Sequence, residues 1–297
     1  MTLEQLRIFV AVAERQHVTQ AAEALGLAQS AVSRAVAALE ARHAVRLFDR
    51  VGRRVELTEA GRTLLVEARA VLGQAARAET ALAEFGRLER GTLILQASQT
   101  IAGYWLPRHL AAYRLAHPRI AIRLAVGNTR QVQASVAAGE AELGFIEGLA
   151  EGEDCRSAVV ARDQLVVLVA PDHPWAEGPA PGPADLARAA WVLREPGSGT
   201  RAMFEAALAG MGVDPGGLDV RLELPSNEAV RGAVEAGLGA TALSASVAAP
   251  SLEAGLLRLV DTPLPEREFH VLRRRDRPPS RAAAALLAAV GAPLAEA

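Results

Sequence analysis

The hydrophobic pattern at the start of the chain predicts three short helices. The first carries an apolar stripe at helical spacing, formed by Leu3, Leu6, Val10 and Ala13. A second helix is predicted over residues 20–25, with Thr19 as its N-cap and Gly26 at its end. A third is predicted over residues 29–43, and its apolar side is formed by Val32, Ala35, Val36 and Leu39.

A hairpin and one long helix are predicted next. Residues 46–50 and 54–57 are predicted strands, joined by a turn at 51–53. A helical pattern then runs from a cap at Thr58 to about Glu89, which corresponds to a helix roughly 48 Å long. Its apolar positions have heptad spacing: Leu64, Ala68, Val71, Ala75, Ala78, Leu82 and Phe85. This favours pairing with a second helix over packing on its own domain, because no segment of residues 1–57 is large enough to cover it.

Short apolar strands alternate with helices from Gly91 onward, as in α/β units. The predicted strands are 92–97, 120–126, 142–146, 165–170, 191–193, 220–224, 240–244 and 269–273. The predicted helices are 101–116, 131–138, 200–209, 227–235 and 280–290. A stretch rich in proline and glycine, 171–183, separates two similar halves, so a bilobed domain is expected.

Composition and charge narrow the class of protein. The chain is 51% hydrophobic and 22% charged, which is typical of a folded globular protein. Its N-terminus has no secretion signal, and its longest apolar run, 282–292, is too short for a bilayer. We therefore expect a cytoplasmic protein without a membrane partner. The single cysteine, Cys155, excludes an internal disulfide and is predicted to be an exposed loop thiol.

The net charge of −2 hides a local basic cluster. All 32 basic residues are arginines, and residues 41–54 contain five of them (42, 46, 50, 53 and 54) against the single acid Asp49. This cluster adjoins the predicted second and third helices.

The outer side of the third predicted helix carries side chains suited to a DNA groove. Ser30 and Arg34 lie opposite the apolar side, Ser33 lies on its flank, and Gln29 lies at the N-terminal end. Gln29 can pair with adenine and Arg34 with guanine, while serines reach phosphates or base edges. The hairpin would place further cations over the neighbouring groove or backbone as a wing: Arg50, Arg53 and Arg54. Solvation alone would explain any one of these side chains, but the combination favours DNA binding.

A set of ordered motifs supports this hypothesis. The motifs are Leu3-Glu4-Gln5-Leu6-Arg7-Ile8-Phe9, Ala21-Ala22, Gln29-Ser30-Ala31-Val32-Ser33-Arg34, Leu39-Glu40, Leu47-Phe48-Asp49-Arg50 and Leu57-Thr58-Glu59-Ala60-Gly61. In order and spacing they resemble the N-terminus of LysR-type transcriptional regulators. The resemblance implies a winged helix-turn-helix, dimerisation through the long linker helix and commonly a homotetramer on bent promoter DNA. It also implies DNA contacts at Gln29, Ser33, Arg34 and Arg53. Ala28 and Ala44 depart from the family, which often has a capping Ser or Thr at the first position and usually a glycine at the second.

Small polar residues occupy three strand-to-helix junctions: Ser98-Gln99-Thr100, Gly197-Ser198-Gly199-Thr200 and Ser226-Asn227. Free backbone N–H groups at such junctions favour an anion, and open α/β sheets bind ligands at the carboxyl ends of their strands. Ordinary helix capping is the alternative for each one. Arg201 would either complement an anionic ligand or point to solvent.

The rest of the chain is similar, more loosely, to the effector domain of the same family, whose two lobes resemble periplasmic solute-binding proteins. That resemblance implies a crevice between the lobes that binds a small-molecule effector. The predicted effector-binding residues are Ser98, Thr100, Asn128, Thr129, Ser198, Gly199 and Thr200.

The expected fold class is therefore α plus α/β, with three parts. Residues 1–57 form a winged helix-turn-helix DNA-binding domain, 58–89 a dimerising linker helix, and 90–297 a bilobed effector-binding domain resembling periplasmic binding proteins. Lobe I is expected at about 90–161 and 267–297, and lobe II at about 162–266. The predicted function is sequence-specific regulation of transcription, modulated by a small anionic metabolite.

An enzyme is the main alternative. Gly197-x-Gly199-x-x-Ala202 matches a relaxed dinucleotide fingerprint. However, Arg194-Glu195-Pro196 makes a polar, kinked approach, and Asp219 precedes its strand instead of ending one. We therefore predict no catalysis and no cofactor, although a nucleotide stays open as a sensed effector. The scattered histidines and lone cysteine predict no metal site, and a secreted solute-binding protein does not fit the missing signal and additional N-terminal domain.

Overall fold

The computed structural model of the chain describes residues 1–51, 54–84, 91–148, 150 and 152–292, with the backbone alone for residues 50, 51, 77 and 79–84. The chain forms two compact units, one mainly Met1–Gly86 and the other mainly Arg87–Ala137 and Ala141–Ala297. No helix in these described ranges combines the length and apolar character needed to cross a membrane.

The first unit contains a three-helix bundle, a hairpin and a long helix. In chain order its described elements are α1 (Leu3–Arg15), α2 (Val18–Leu25), α3 (Gln29–His43), β1 (Phe48–Val51), β2 (Arg54–Leu57) and α4 (Glu59–Glu84). The prediction that Thr19 caps α2 is wrong. His17 is the N-cap, and its Nδ1 accepts the N–H of Gln20 at 3.5 Å. The helix begins earlier because Val18 packs against the core of this unit.

Part of α4 packs on its own unit. The apolar heptad positions of α4 form the predicted dimer seam. Two of them, Leu64 and Ala68, contact the core formed by α1 to α3. The alternative of packing within the domain is therefore correct for this part of the helix. Val71, the next seam position, is 41% exposed. The side chain of Leu82 and all of Phe85 lie outside the described residues, as does the predicted end of the helix at Glu89.

Side-chain hydrogen bonds fix the hairpin between α3 and α4. Glu40 Oε1 accepts the N–H groups of Leu47 and Phe48 at 2.7 and 3.2 Å. Thr58 Oγ1 donates to the carbonyl of Arg46 at 2.8 Å and accepts the N–H of Gly61 at 3.0 Å, which confirms Thr58 as the cap of α4. The hairpin therefore has a defined position beside α3.

The second unit alternates strands and helices. Its first described elements are β3 (Gly91–Ser98), a π-helical turn (Ile101–Trp105), α5 (Leu106–Ala116), β4 (Ile120–Gly127), α6 (Thr129–Ala138), β5 (Leu143–Glu147), β6 (Cys155–Val169) and α7 (Pro183–Arg188). The remaining elements are β7 (Ala190–Arg194), α8 (Gly199–Gly210), a 3-10 turn (Pro215–Gly217), β8 (Asp219–Leu224), α9 (Asn227–Glu235), β9 (Thr241–Ser244), α10 (Ala245–Glu253), β10 (Arg258–Val260), β11 (Glu266–Arg274) and α11 (Arg281–Ala289).

Strand pairing divides this unit into two lobes. Lobe I contains β4, β3, β5 and β11 in that order, with β3 parallel to both β4 and β5. Lobe II contains β9 and β10, both paired to β6, and the parallel pair β7 and β8. The long strand β6 is shared, since Cys155–Gln164 pairs with β11 and Leu165–Val169 with the lobe II strands. The predicted α plus α/β fold class is confirmed; the exact domain and lobe boundaries stay a prediction.

The beginning of β6 was not predicted by the hydrophobic pattern. Residues 155–164 contain two arginines and alternate between the two faces of the sheet, so they lack the apolar run of a buried strand. The prediction of an exposed loop thiol at Cys155 is therefore wrong. Cys155 is only 9% exposed, packs with Val132 and Leu272, and has its pKa raised by burial. The elements α7, α10 and β10 were also missed.

Candidate nucleic-acid interface and ligand cavity

The two sides of α3 differ in the way that the apolar pattern predicts. Val32 and Leu39 are 0% and 1% exposed in the core of the first unit. The four side chains expected to face DNA are all exposed: Gln29, Ser30, Ser33 and Arg34. Arg34 Nε donates to the carbonyl of Ser30 at 3.3 Å, and the side chain is exposed. The polar side of the helix is therefore exposed, and its apolar side is buried in the core.

A hollow of about 300 Å³ lies between α3 and the hairpin. It brings together Gln29, Ser33 and Arg54, all predicted DNA contacts. Arg46 and Thr19 also line it, although neither was predicted as a contact. Their proximity depends on how the hairpin docks, and the five-arginine cluster was the only sequence signal for Arg46. The side chain of Arg50 and the whole of Arg53 lie outside the described residues.

Both ends of α3 show the family departures noted in the sequence. Ala28 is the N-cap and makes no side-chain capping bond. Ala44, the C-cap, has φ of 52°, a left-handed conformation that usually favours glycine. The helix is therefore held by its buried side, since neither cap residue contributes a side-chain hydrogen bond.

A cavity of about 520 Å³ lies between α6 and α8. Three of the predicted effector residues line it: Thr129, Ser198 and Gly199. The other polar or charged lining residues are Arg130, Gln133, Glu147, Arg201 and Glu205, and apolar lining comes from Ala134, Ala137, Pro196, Ala202 and Met203. Ser198 is the N-cap residue of α8 but makes no side-chain capping bond.

Thr100 and Asn128 take part in hydrogen bonds between the lobes. Thr100 Oγ1 accepts from Asn227 Nδ2 at 3.1 Å. Asn128 Nδ2 donates to Glu195 Oε1 at 3.1 Å, while its Oδ1 accepts the N–H of Gln131 at 3.0 Å and so caps α6. Neither side chain lines the cavity, and Asn128 caps a helix.

Arg194 organises the same contact between the lobes. It is 4% exposed, and its Nη1 donates to Asn227 Oδ1 at 2.6 Å. Its Nε donates to Glu195 Oε2 at 2.9 Å. Burial by itself would raise the pKa of Glu195, but the hydrogen bond and charge of Arg194 outweigh it and the pKa is lowered. The polar Arg194-Glu195 segment is therefore an inter-lobe contact.

Thr200 and Ser98 are buried and do not line the cavity. Thr200 Oγ1 accepts from Arg267 Nη1 at 3.0 Å, and Arg267 pairs with Asp163 at 2.7 Å. Ser98 is 2% exposed and its hydroxyl has no hydrogen-bond partner among the described residues. Arg267 was missed because an arginine on a strand gives no sequence signal for burial.

The sequence left open whether Arg201 complements an anionic ligand or points to solvent, and in the structure it does neither because it pairs with acids of its own chain. Its Nε lies 2.7 Å from Glu205 Oε1, and its Nη1 pairs with Glu223. The Arg201 side chain is 18% exposed and pairs with these two acids at the edge of the cavity.

An exposed polar helix face beside a hairpin, together with a two-lobed α/β unit that contains a cavity, is typical of the class of ligand-responsive transcription regulators. The family profile described as "Bacterial regulatory helix-turn-helix protein, lysR family" matches residues 3–62, and "LysR substrate binding domain" matches residues 86–294. The chain belongs to the LysR family of transcriptional regulators, with an effector-binding domain.

Individual relatives agree with this assignment. The chain is 40% identical over 265 residues to the "Uncharacterized HTH-type transcriptional regulator YeiE" of Escherichia coli (strain K12), covering 89% of this chain and 88% of that protein. The crystal structure of CbnR, a LysR family transcriptional regulator, shares the fold at a TM-score of 0.71 and 23% identity over 98% of both chains. The regulatory domain of Synechocystis PCC6803 CcmR in complex with 2-PG is similar at a TM-score of 0.61 and 28% identity, covering 68% of this chain and 96% of that one.

Proposed function

We propose that this chain binds double-stranded promoter DNA through the outer side of α3 and the adjoining hairpin. The observation that carries the proposal is the exposure of Gln29, Ser33 and Arg34 on a helix whose opposite side is anchored by Val32 and Leu39. Long hydrogen-bonding side chains on a rigid helix are the usual means of base recognition in the major groove. Arg54, with Arg50 and Arg53 from the sequence, would contact the phosphate backbone or minor groove as a wing.

Replacing Arg34 with alanine tests this role. The variant is expected to lose about 1–3 kcal/mol in operator binding, because a bidentate base contact would be removed. Its unfolding transition should not change, since Arg34 is exposed and bonds only to its own helix. The measurement is a footprint and gel-shift titration on the neighbouring intergenic DNA. Unchanged sequence preference in the footprint would remove Arg34 from the reading surface.

We further propose that a small anionic metabolite in the crevice between the lobes modulates this binding. The cavity between α6 and α8, lined by Thr129, Ser198 and Gly199, supports this proposal. The uncapped first turn of α8 leaves backbone N–H groups that favour an anion. CcmR, a similar regulatory domain, is described in complex with 2-PG. Thr100, Asn128 and Thr200 would act through the bonds between the lobes, whereas the buried hydroxyl of Ser98 forms no hydrogen bond among the described residues.

The proposed assembly is a homodimer paired through α4, with a homotetramer as the expected larger form. Because Leu64 and Ala68 face their own core, the seam would begin at Val71. Val71→Glu is expected to halve the particle mass measured by light scattering, since a carboxylate would be buried in the seam. Val66→Glu is the matched control: it is 62% exposed and about 200° from Leu64 around the helix. If Val66→Glu dissociates the assembly and Val71→Glu does not, the seam is on the other side.

A purely regulatory role, without catalysis or cofactor, is supported by membership of a family of transcriptional regulators. A bacterial promoter as target also supports the cytoplasm as the location. The dinucleotide hypothesis gains no support from α8, because Asp219 stands at the beginning of β8, away from the strand end where a ribose would be bound.

A further inference from the structure

The cavity between α6 and α8 contains a buried acid that neither the motifs nor the family assignment explains. Glu147 ends β5 and is only 3% exposed. Its Oε2 accepts the hydroxyl of Thr129 at 3.3 Å, and it forms no ion pair with any residue of the described chain. Glu205, the other acid in the lining, differs because Arg201 lies 2.7 Å away and balances its charge. A buried carboxylate with a single neutral partner has unused capacity to accept hydrogen bonds.

The same cavity also contains a cation without a partner in the described part of the chain. Arg130 lines it, is exposed, and has neither an ion pair nor a side-chain hydrogen bond to any residue that the structure describes. Its backbone N–H bonds to the carbonyl of Gly197, which fixes the start of α6 against the loop before α8. Among the described residues, the cavity thus offers one positive group and one negative group that no ion pair compensates.

The position of Glu147 limits what can bind at the start of α8. A Cβ atom on Gly199 would lie 2.8 Å from the carbonyl oxygen of Glu147 and 3.1 Å from its Oε2. The carboxylate is therefore close to the first turn of α8, where an anionic ligand group would otherwise be favoured. A ligand that brings only negative charge meets repulsion there, whereas a hydrogen-bond donor would satisfy the acid.

We propose that the cavity selects a small acid that also carries a hydroxyl or ammonium group. The donor group faces Glu147, the anionic group faces Arg130, and the apolar side chains of Ala134, Ala202 and Met203 contact the carbon chain. The ligand class is therefore a hydroxy acid or amino acid, not a simple anion. This inference rests on the proposed function, since it specifies the effector of the same crevice.

The test compares three acids with one carbon skeleton. Isothermal titrations of the full-length protein are carried out with 4-methylpentanoate, 2-hydroxy-4-methylpentanoate and leucine. The wild type is expected to bind at least one donor-bearing acid about tenfold or more tightly than 4-methylpentanoate, because a hydrogen bond to a buried charged group distinguishes them. Glu147→Gln should reduce this preference to about twofold or less. Glu253→Gln, which changes an exposed acid on α10 outside the cavity lining, is the control and should keep it.

Three further variants separate selection from folding. Arg130→Gln should weaken all acids that bind by a similar factor, whereas Arg123→Gln, an exposed arginine on β4 outside the cavity lining, should not. Thr129→Val removes the hydroxyl partner of Glu147 and should widen the preference for a donor, which keeps the proposal testable if Glu147→Gln does not fold.

Three results would overturn the proposal: equal binding of the three acids, no binding of any of them, or an unchanged preference in Glu147→Gln. Gel shifts with the operator, run on the same samples, identify which idea fails. Normal DNA binding without selectivity removes the ligand class alone, whereas a loss of DNA binding in the wild type removes the proposed function.

Discussion

Arg267→Met is expected to lower the free energy of unfolding of the two-lobed unit by about 3–5 kcal/mol, because it leaves a buried carboxylate without its counter-ion. Arg267 is 1% exposed. Its Nε donates to Asp163 Oδ2 at 2.7 Å, and its Nη2 lies 2.7 Å from the same oxygen without hydrogen-bond geometry. Without the arginine, Asp163 would keep the hydroxyl of Ser244 at 2.8 Å, and Thr200 would lose the donor that orients it.

The control for this variant is an exposed arginine on the paired strand β6, next to Asp163 in sequence. Arg162→Met removes an arginine whose side chain is 67% exposed and pairs with Glu266 and Glu268, so it should cost less than about 1 kcal/mol. Removing both members of the buried pair, in Arg267→Met with Asp163→Leu, should recover much of the loss. The measurement is urea unfolding followed by tryptophan fluorescence. A cost for Arg267→Met no larger than for Arg162→Met would show that the pair is not important for stability.

Leu39→Ala is expected to lower the free energy of unfolding of the first unit by about 2–5 kcal/mol. Leu39 is 1% exposed and lies on the inner side of α3 in a core shared with α1, α2 and the start of α4. Its truncation leaves a cavity beneath the proposed recognition helix. Because α3 has no side-chain hydrogen bond at either cap, its position depends strongly on this buried contact.

The expected result for Leu39→Ala is opposite in kind to that for Arg34→Ala. The molecules of Leu39→Ala that remain folded should keep the wild-type base preference, whereas Arg34→Ala should keep stability and lose preference. Arg42→Ala, an exposed position on the same helix, is the control for the change in helix composition and should alter stability little. Thermal unfolding and footprinting below the transition check both properties. A stable Leu39→Ala variant with altered preference would contradict the division between the two sides of α3.

Sequence reasoning succeeded where the relevant interactions are local and periodic. The bounds of α3 and α9 agree with the prediction, because an apolar stripe at helical spacing determines which side of each helix is buried. It was less successful at β6, whose arginines are compatible with a strand only because alternate positions face solvent. The prediction for α4 was also incomplete. Heptad spacing of apolar residues does not reveal whether the helix packs on another chain or on its own domain.

The candidate cavity shows the same division. Thr129, Ser198 and Gly199 were predicted from their junctions and from family resemblance, and all three line the cavity. Glu147 and Arg130 were missed, since a single acid at the end of a strand and a single arginine at the start of a helix are common on protein surfaces. Glu147 becomes buried, and lines the same cavity as Arg130, only because α8 approaches the end of β5.

The amino-acid sequence by itself determined the family, the class of fold and the polar and apolar sides of α3, because these depend on residue order and on periods of a few residues. Tertiary structure alone decided which charges are buried and which are paired. Arg267 pairs with Asp163 and Arg201 with two acids, whereas Glu147 has no counter-ion among the described residues. The physical reason is that the energy of a charge depends on its solvent exposure and on neighbours within a few ångströms, and those neighbours are contributed by strands and helices distant in sequence.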